Sequence, residues 1–443
     1  METANRKIGG KEEMKKLFAL GAATLLAFGL ASCGEATQQP TEPGTQPAVG
    51  KKIDLIYSGT LSNKDFNMGL FEDFKAAMKA AGDPNEYNIT YEAHGPDMVD
   101  SEVVDWSVGP DVYEFASDKL ANLFSKGALA KVVGQNAAFI EDELNGFAKA
   151  CATFNDQYFA YPYTGDNTYY LQYDKSVITE EQAKDMMALM DAAHAKGKKV
   201  GYNLPEGFWG AGAMFTFGAD YKIKFSEDGN IESIVADFNG EKGLKAAKAI
   251  LQIVQHPAFL VSSAVPASKD SDVCAVIGGT WDILTYDADK DLYGGYKTVW
   301  GDDYGCAVMP TVTVDGETRH LGAFLGGKLL GVNPQQADGD EERLAAAHKL
   351  AKFLAGKECQ LKRFEEYEIA PCHIEAAKDP KVLASPNIAV LAAQGEFAHA
   401  QTSVPGGVWS APGVMVNAMK DGKCTLENLQ EYLDAFNNTV IGK

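Results

Sequence analysis

Basic residues are scarce in this 443-residue chain: 40 lysines and arginines stand against 61 aspartates and glutamates, a formal net charge of −21. An acidic body repels nucleic acid and anionic lipid surfaces, so neither is expected as a partner. The seven histidines are scattered and neither CxxC nor HExxH occurs, so no metal site is expected. Also missing are a P-loop, a GxSxG elbow and a GxGxxG turn after a strand, which removes the usual signatures of nucleotide, acyl-transfer and dinucleotide chemistry, and no cofactor is expected. Carboxylate pairs are abundant, but a glycosidase needs two of them facing across one sugar bond, which spacing in sequence does not supply. A disordered composition is absent too, since 46% hydrophobic and 10% aromatic residues mark a folded chain.

Long apolar runs are lacking with one exception, "KKLFALGAATLLAFGLASCG", residues 15 to 34. Lys15 and Lys16 precede an apolar stretch from Leu17 to Ala31, the layout of a secretory signal and too short to span a bilayer comfortably. Its end, "LASC", resembles the lipobox of bacterial lipoproteins. That resemblance implies cleavage before Cys33 and acylation of the Cys33 thiol with diacylglycerol and palmitate. The expected layout is a signal peptide over 1–32, with translation starting at Met1 or Met14, then the lipidated Cys33 and a tether over 33–50. The protein would sit on the extracytoplasmic face of the cell membrane, held by lipid alone. The tether carries Pro40, Pro43 and Pro47 and could extend about 50 Å.

Removing 32 residues leaves 411 of 443 and takes the net charge from −21 to −23, because the segment holds five basic and three acidic residues. A chain of that length suggests two domains. Six cysteines remain, at 151, 274, 306, 359, 372 and 424. They allow fifteen pairings and match no framework, with Cys359 and Cys372, the nearest in sequence, a candidate bridge.

The body alternates strand and helix patterns, which predicts an α/β fold with mainly parallel sheets. "IDLIYSG" (53–59), "NITYEAH", "DVYEFA", "VCAVIGG" and "YGCAVMP" read as strands. "FEDFKAAMKAAG" (71–82) places Phe71, Phe74, Met78 and Ala81 on one helical face. "TEEQAKDMMALMDAAHAKG" opens with a Thr179/Gln182 capping box and closes at Gly197, predicting one helix with Met186, Met187 and Met190 as core residues. "EKGLKAAKAILQIV", "EERLAAAHKLAKFLAG" and "TLENLQEYLDAF" repeat the amphipathic pattern.

Three tryptophans sit in small-residue settings rather than on periodic apolar faces: Trp209 in "PEGFWGAG", Trp281 in "IGGTWDI" and Trp409 in "PGGVWSAPG". Each is a loop or helix start where an aromatic plane can be presented. A flat aromatic face matches the C–H face of a sugar ring, whose hydroxyls need charged or amide partners, so carbohydrate is the favoured ligand class.

"GPDVYEFASDKLANLFSKGALAKV" (109–132), "YFAYPYTGDNTYYLQYDK" (158–175), "IGGTWDI" (277–283) and the tail from "FLGGKLLGVN" to "GGVWSAPGVMVNAMKDGK" resemble, in the same order, segments of the maltose/maltodextrin-binding proteins, solute receptors of ABC sugar importers. The resemblance implies a two-lobed periplasmic-binding-protein fold of type II. Lobe one would hold 51–165 and 310–358, and lobe two 166–309 and 359–443, with the ligand in the cleft between them. It implies that Asn63 and Lys64 in "NKDFNMGL" meet sugar hydroxyls, where the family has an acid at the position of Asn63. It implies that Phe115, Phe208, Trp281 and Trp409 stack on sugar rings, with Trp209 beside Phe208. Asp118 and Lys119 would clamp hydroxyls, and Asp166 would be a further acidic ligand. Lys119 replaces the family's arginine, removing a planar two-pronged donor. The expected partners are an oligosaccharide and the permease subunits of an ABC transporter, and a monomer with no catalysis is expected. The alternatives are a surface carbohydrate-active enzyme, an adhesive or structural lipoprotein, or a receptor for a non-sugar solute. Tyr169 and Tyr170 raise ferric iron, but strand character sends neighbours to opposite faces.

Overall fold

The computed structural model describes residues 50–287 and 292–443. The expected signal peptide, Cys33 and most of the tether lie outside the described residues.

Ten strands form one sheet: β1 (Lys52–Gly59), β2 (Glu86–Ala93), β3 (Val112–Ala116), β4 (Tyr161–Asp174), β5 (Lys199–Gly201), β6 (Phe259–Leu260), β7 (Val273–Gly279), β8 (Tyr304–Ala307), β9 (Ala323–Val332) and β10 (Ala398–Ala400). Their order is β6-β5-β7-β4-β9-β3-β1-β2, with β8 on β4 and β10 on β9. The flanks are parallel, β1 with β2 and β3, and β5 with β6 and β7. The centre is antiparallel, because β4 and β9 pair with each other and with β7 and β3 respectively.

These two long strands join two halves. Residues 169–173 of β4 pair with β7, while Tyr161–Thr168 pair with β9. The β4/β9 register shifts on either side of Lys328, so the ladder is interrupted where the halves meet. Apolar side chains follow the strand period into separate cores. On the first half, Val112, Leu330 and Val332 face one core while Tyr113, Phe115 and Leu329 face another across the sheet. On the second half, Ala275 and Ile277 face a large core and Val276 the opposite side with Trp300. The cores redraw the lobe boundaries expected at 310 and 359. Val312, Val314 and Leu321 pack with the second half, and Cys359 and Cys372 with the first.

The helices used below are α1 (Lys64–Ala80), α2 (Met186–Ala195), α3 (Gly207–Met214), α4 (Glu241–Gln255), α5 (Glu341–Leu354), α6 (Lys357–Tyr367), α7 (Gly406–Lys420) and α8 (Leu429–Val440). The Thr179/Gln182 box forms, with Thr179 N–H donating to Gln182 Oε1 at 2.9 Å. It caps only a single turn, Gln182–Lys184, and α2 starts afresh with Asp185 as its N-cap. Met186 and Met190 are fully buried in the large core, with Met187 packed against it. All six described cysteines are free, so the candidate Cys359–Cys372 bridge is not formed although both thiols share a core.

Candidate functional site

The site begins with how its supports are held. "GPD" is structural: Asp111, 1% exposed, accepts the Ile56 amide at 2.7 Å and takes both Nε and Nη2 of Arg343, at 2.7 and 2.8 Å. It thereby fixes β1, the entry to β3 and α5 together. At the other end of β3 the chain turns into a single helical turn, Ser117–Lys119. Buried Glu114 accepts hydrogen bonds from Tyr57 (2.6 Å) and Asn67 (3.2 Å), locking the core beneath the loop that carries Asn63.

On the second half, α3 carries Phe208 and Trp209, and α7 carries Trp409. Glycine lets the two helices meet: a Cβ on Gly207 would stand 2.4 Å from Cα of Trp409, and one on Gly210 would be 2.5 Å from Cβ of Pro412. Phe208 then lies 6.0 Å from Trp281 and 6.5 Å from Trp409, centroid to centroid, with Phe324 stacked behind it at 5.7 Å. Trp209 donates its indole N–H to Ile277 O at 3.1 Å, which orients its ring. Replacing Gly207 with alanine should push α3 from α7, costing about 1–3 kcal/mol of stability. We expect a lower urea midpoint together with altered tryptophan emission, and an unchanged spectrum would contradict this packing.

Between the halves is a cavity of about 560 Å³. Seven of the ten residues singled out from sequence line it: Asn63, Asp118, Lys119, Phe208, Trp209, Trp281 and Trp409. Three do not. Lys64 opens α1 and is exposed outside the cavity. Phe115 is fully buried in a core of the first half, because the strand period turns Ala116, not Phe115, to the cavity. Asp166 is 4% exposed and accepts the Ala370 amide at 2.9 Å, tying a third chain crossing to β4, while its neighbour Asn167 takes the cavity face. Tyr169 and Tyr170 diverge as expected: Tyr169 donates to Phe208 O, and Tyr170 to Asn387 on the other side of the sheet.

Sequence reasoning missed Asp97, Glu206, Asp282, Lys328 and Gln401. Lys328 had a signal, being a lone lysine inside the apolar run "FLGGKLLG"; its ammonium lies 5.6 Å from the Trp281 ring centroid. Glu206 had one as well, since it precedes the first turn of α3 and accepts the Phe208 amide at 3.0 Å. Gln401 had none. It comes from far along the chain, donates to Asp118 at 2.9 Å and accepts from Asn167 at 2.8 Å, bridging polar groups across the cavity floor.

Burial pushes the Asp118 carboxyl up to about 6, opposed by Lys119, whose ammonium is 3.7 Å away. Asp282 is likewise pushed up to about 6 by burial, opposed by Lys328. Desolvation also raises Glu206, against the amides at the start of α3. From the ordinary aspartate value near 4 up to about 6, the folded chain keeps protons that the unfolded chain has released. The stability that Asp118 and Asp282 contribute is therefore complete below pH 4 and falls as the pH rises to 6. In the ligand-free protein, Asp118→Asn should flatten this part of the profile in urea unfolding between pH 4 and 7, and an unchanged slope would contradict the assignment.

A half-buried aromatic wall facing a rim of carboxylates, ammoniums and amides suits a ligand that is flat and apolar on its faces and polar at its edge. Among the described residues no three His, Cys, Asp or Glu side chains are grouped to hold a metal ion. No helix of the described residues is long and apolar enough to cross a membrane.

The family model described as bacterial extracellular solute-binding protein matches residues 70–390. No curated protein matches the chain. Among solved structures, one determined with acarbose is 25% identical, covering 88% of this chain and 99% of its own, with a TM-score of 0.74. The maltodextrin-binding protein MalE1 of L. casei BL23, without ligand, is 19% identical, with 87% and 98% covered and a TM-score of 0.71. The GacH receptor of Streptomyces glaucescens GLA.O, solved unliganded and with acarbose, is 17% identical, with 88% and 99% covered and a TM-score of 0.68.

Proposed function

Because the chain belongs to the bacterial extracellular solute-binding protein family, we propose that its cavity captures a carbohydrate resembling a short malto-oligosaccharide and presents it to an ABC importer. The observation that carries this reading is the cluster of Phe208, Trp209, Trp281 and Trp409 from one half, facing Asn63, Asp118 and Lys119 from the other across a single cavity. The aromatic faces take the sugar rings, and the polar groups of the opposite half take hydroxyls. Ligand therefore bridges the two halves and favours the closed arrangement, which is the state a transporter can read. The similar structures solved with acarbose, and one 19% identical complexed with maltotetraose, support the same ligand class.

On this reading the protein is a receptor without catalysis. A lipid on Cys33 holds a monomer to the extracytoplasmic face of the membrane, following removal of residues 1–32. The test is calorimetry and intrinsic tryptophan fluorescence against a panel of oligosaccharides, with reducing-end assays alongside. Saturable binding without turnover is the expected result. A silent panel, with peptides or metal ions binding instead, would overturn the proposal, and sugar turnover would make the protein an enzyme.

A further inference from the structure

The charged residues lining the cavity are four acids and two bases: Asp97, Asp118, Glu206, Asp282, Lys119 and Lys328. Both lysines are already engaged. Lys119 lies 3.7 Å from Asp118 and from Asp100, and Lys328 stands over Trp281 in the field of Asp282 and Asp166. Asp118 is further held by Gln401. That leaves Asp97 and Glu206, which approach from different halves. Asp97 sits in the loop after β2, and its carboxylate makes no hydrogen bond or ion pair among the described residues. Glu206 bonds only the amide end of α3 among those residues, and the field of Asp97 reaches it and disfavours its ionised form.

Two like charges on opposite walls oppose closure of a cleft. A neutral hydroxyl placed between them donates a hydrogen bond to a carboxylate but leaves their repulsion in place, whereas a cation removes it. The rings beside Glu206, Phe208 and Trp209, also face the cavity and favour a cation at their surface. We infer that the preferred ligand is a sugar carrying a protonated amino group, held between Asp97 of one lobe and Glu206 of the other. This inference rests on the carbohydrate reading above and narrows it from neutral to amino-substituted oligosaccharides.

The experiment compares maltotriose with a set of monoamino-monodeoxy maltotrioses by calorimetry at pH 7 and low salt. At least one amino analogue should bind about tenfold more tightly than maltotriose, the effect of one charge pair across an interface. The affinity ratio should shrink with added salt and fall toward one in Asp97→Asn and in Glu206→Gln. Asp97 and Glu206 are both exposed at the cavity, and glutamine at 206 keeps a side-chain oxygen to accept the Phe208 amide, so both variants should fold, which thermal unfolding checks. A ratio of one or less in the unaltered protein overturns this inference and leaves the carbohydrate reading standing. A ratio that survives both substitutions overturns the assignment to these two residues. If neither series nor any other oligosaccharide binds, the carbohydrate reading falls and takes this inference with it.

Discussion

Trp281→Ala is expected to weaken oligosaccharide binding by about 30- to 1000-fold, the 2–4 kcal/mol typical of removing a central aromatic anchor. The indole is placed by its surroundings rather than by its own helix. It stands directly over Gly279, where a Cβ would come within 2.2 Å of the ring, and its neighbours Phe208 and Trp209 lie 6.0 and 6.4 Å away. Lys328 covers it from β9. Truncation removes the aromatic face, leaves water where a sugar face would lie, and strands Lys328 without its ring. Because Trp281 is only half-buried and sits on a single helical turn, thermal unfolding should shift by no more than a few degrees. Trp281→Phe should restore most of the affinity. An alanine variant with undiminished affinity would show that this wall of the cavity does not meet the ligand.

The largest stability effect is expected at Asp111. Asp111→Ala removes a buried carboxylate that binds Arg343 through two nitrogens and also satisfies the Ile56 amide. Breaking such a pair from one side costs about 3–5 kcal/mol, because the partner keeps its charge and loses its counterpart. Guanidinium unfolding should show a lower midpoint for the first lobe. Since β3 leads directly into the turn bearing Asp118 and Lys119, any ligand affinity that remains should fall as well. A midpoint equal to that of the unaltered protein would contradict the role assigned to this pair.

The alternation of strands and helices, the amphipathic faces of α4, α5 and α8, and the aromatic wall were legible from residue order, because each depends on local period or on glycine and proline near a tryptophan. The errors arose where one residue of register decides the outcome. In β3, Phe115 and Ala116 differ only in which face the strand presents, and a resemblance at the level of segments cannot resolve that. In β4 the irregular pairing beside Lys328 turns Asn167 to the cavity and buries Asp166 against the Ala370 amide. The helix predicted to start at Thr179 is split, because Asp185 supplies a second cap and the first turn stops before it.

The sequence by itself determined the class of fold, the acidic net charge, and the aromatic character of the site. These follow from composition and short-range pattern. Only the tertiary structure decided which polar groups share the cavity. Asp97, Glu206, Lys328 and Gln401 come from four distant segments, and they meet because β4, β9 and the Glu368–Ala370 crossing bring the two lobes together at one interrupted ladder. No local signal encodes such a meeting, since it depends on how two separately packed cores are joined.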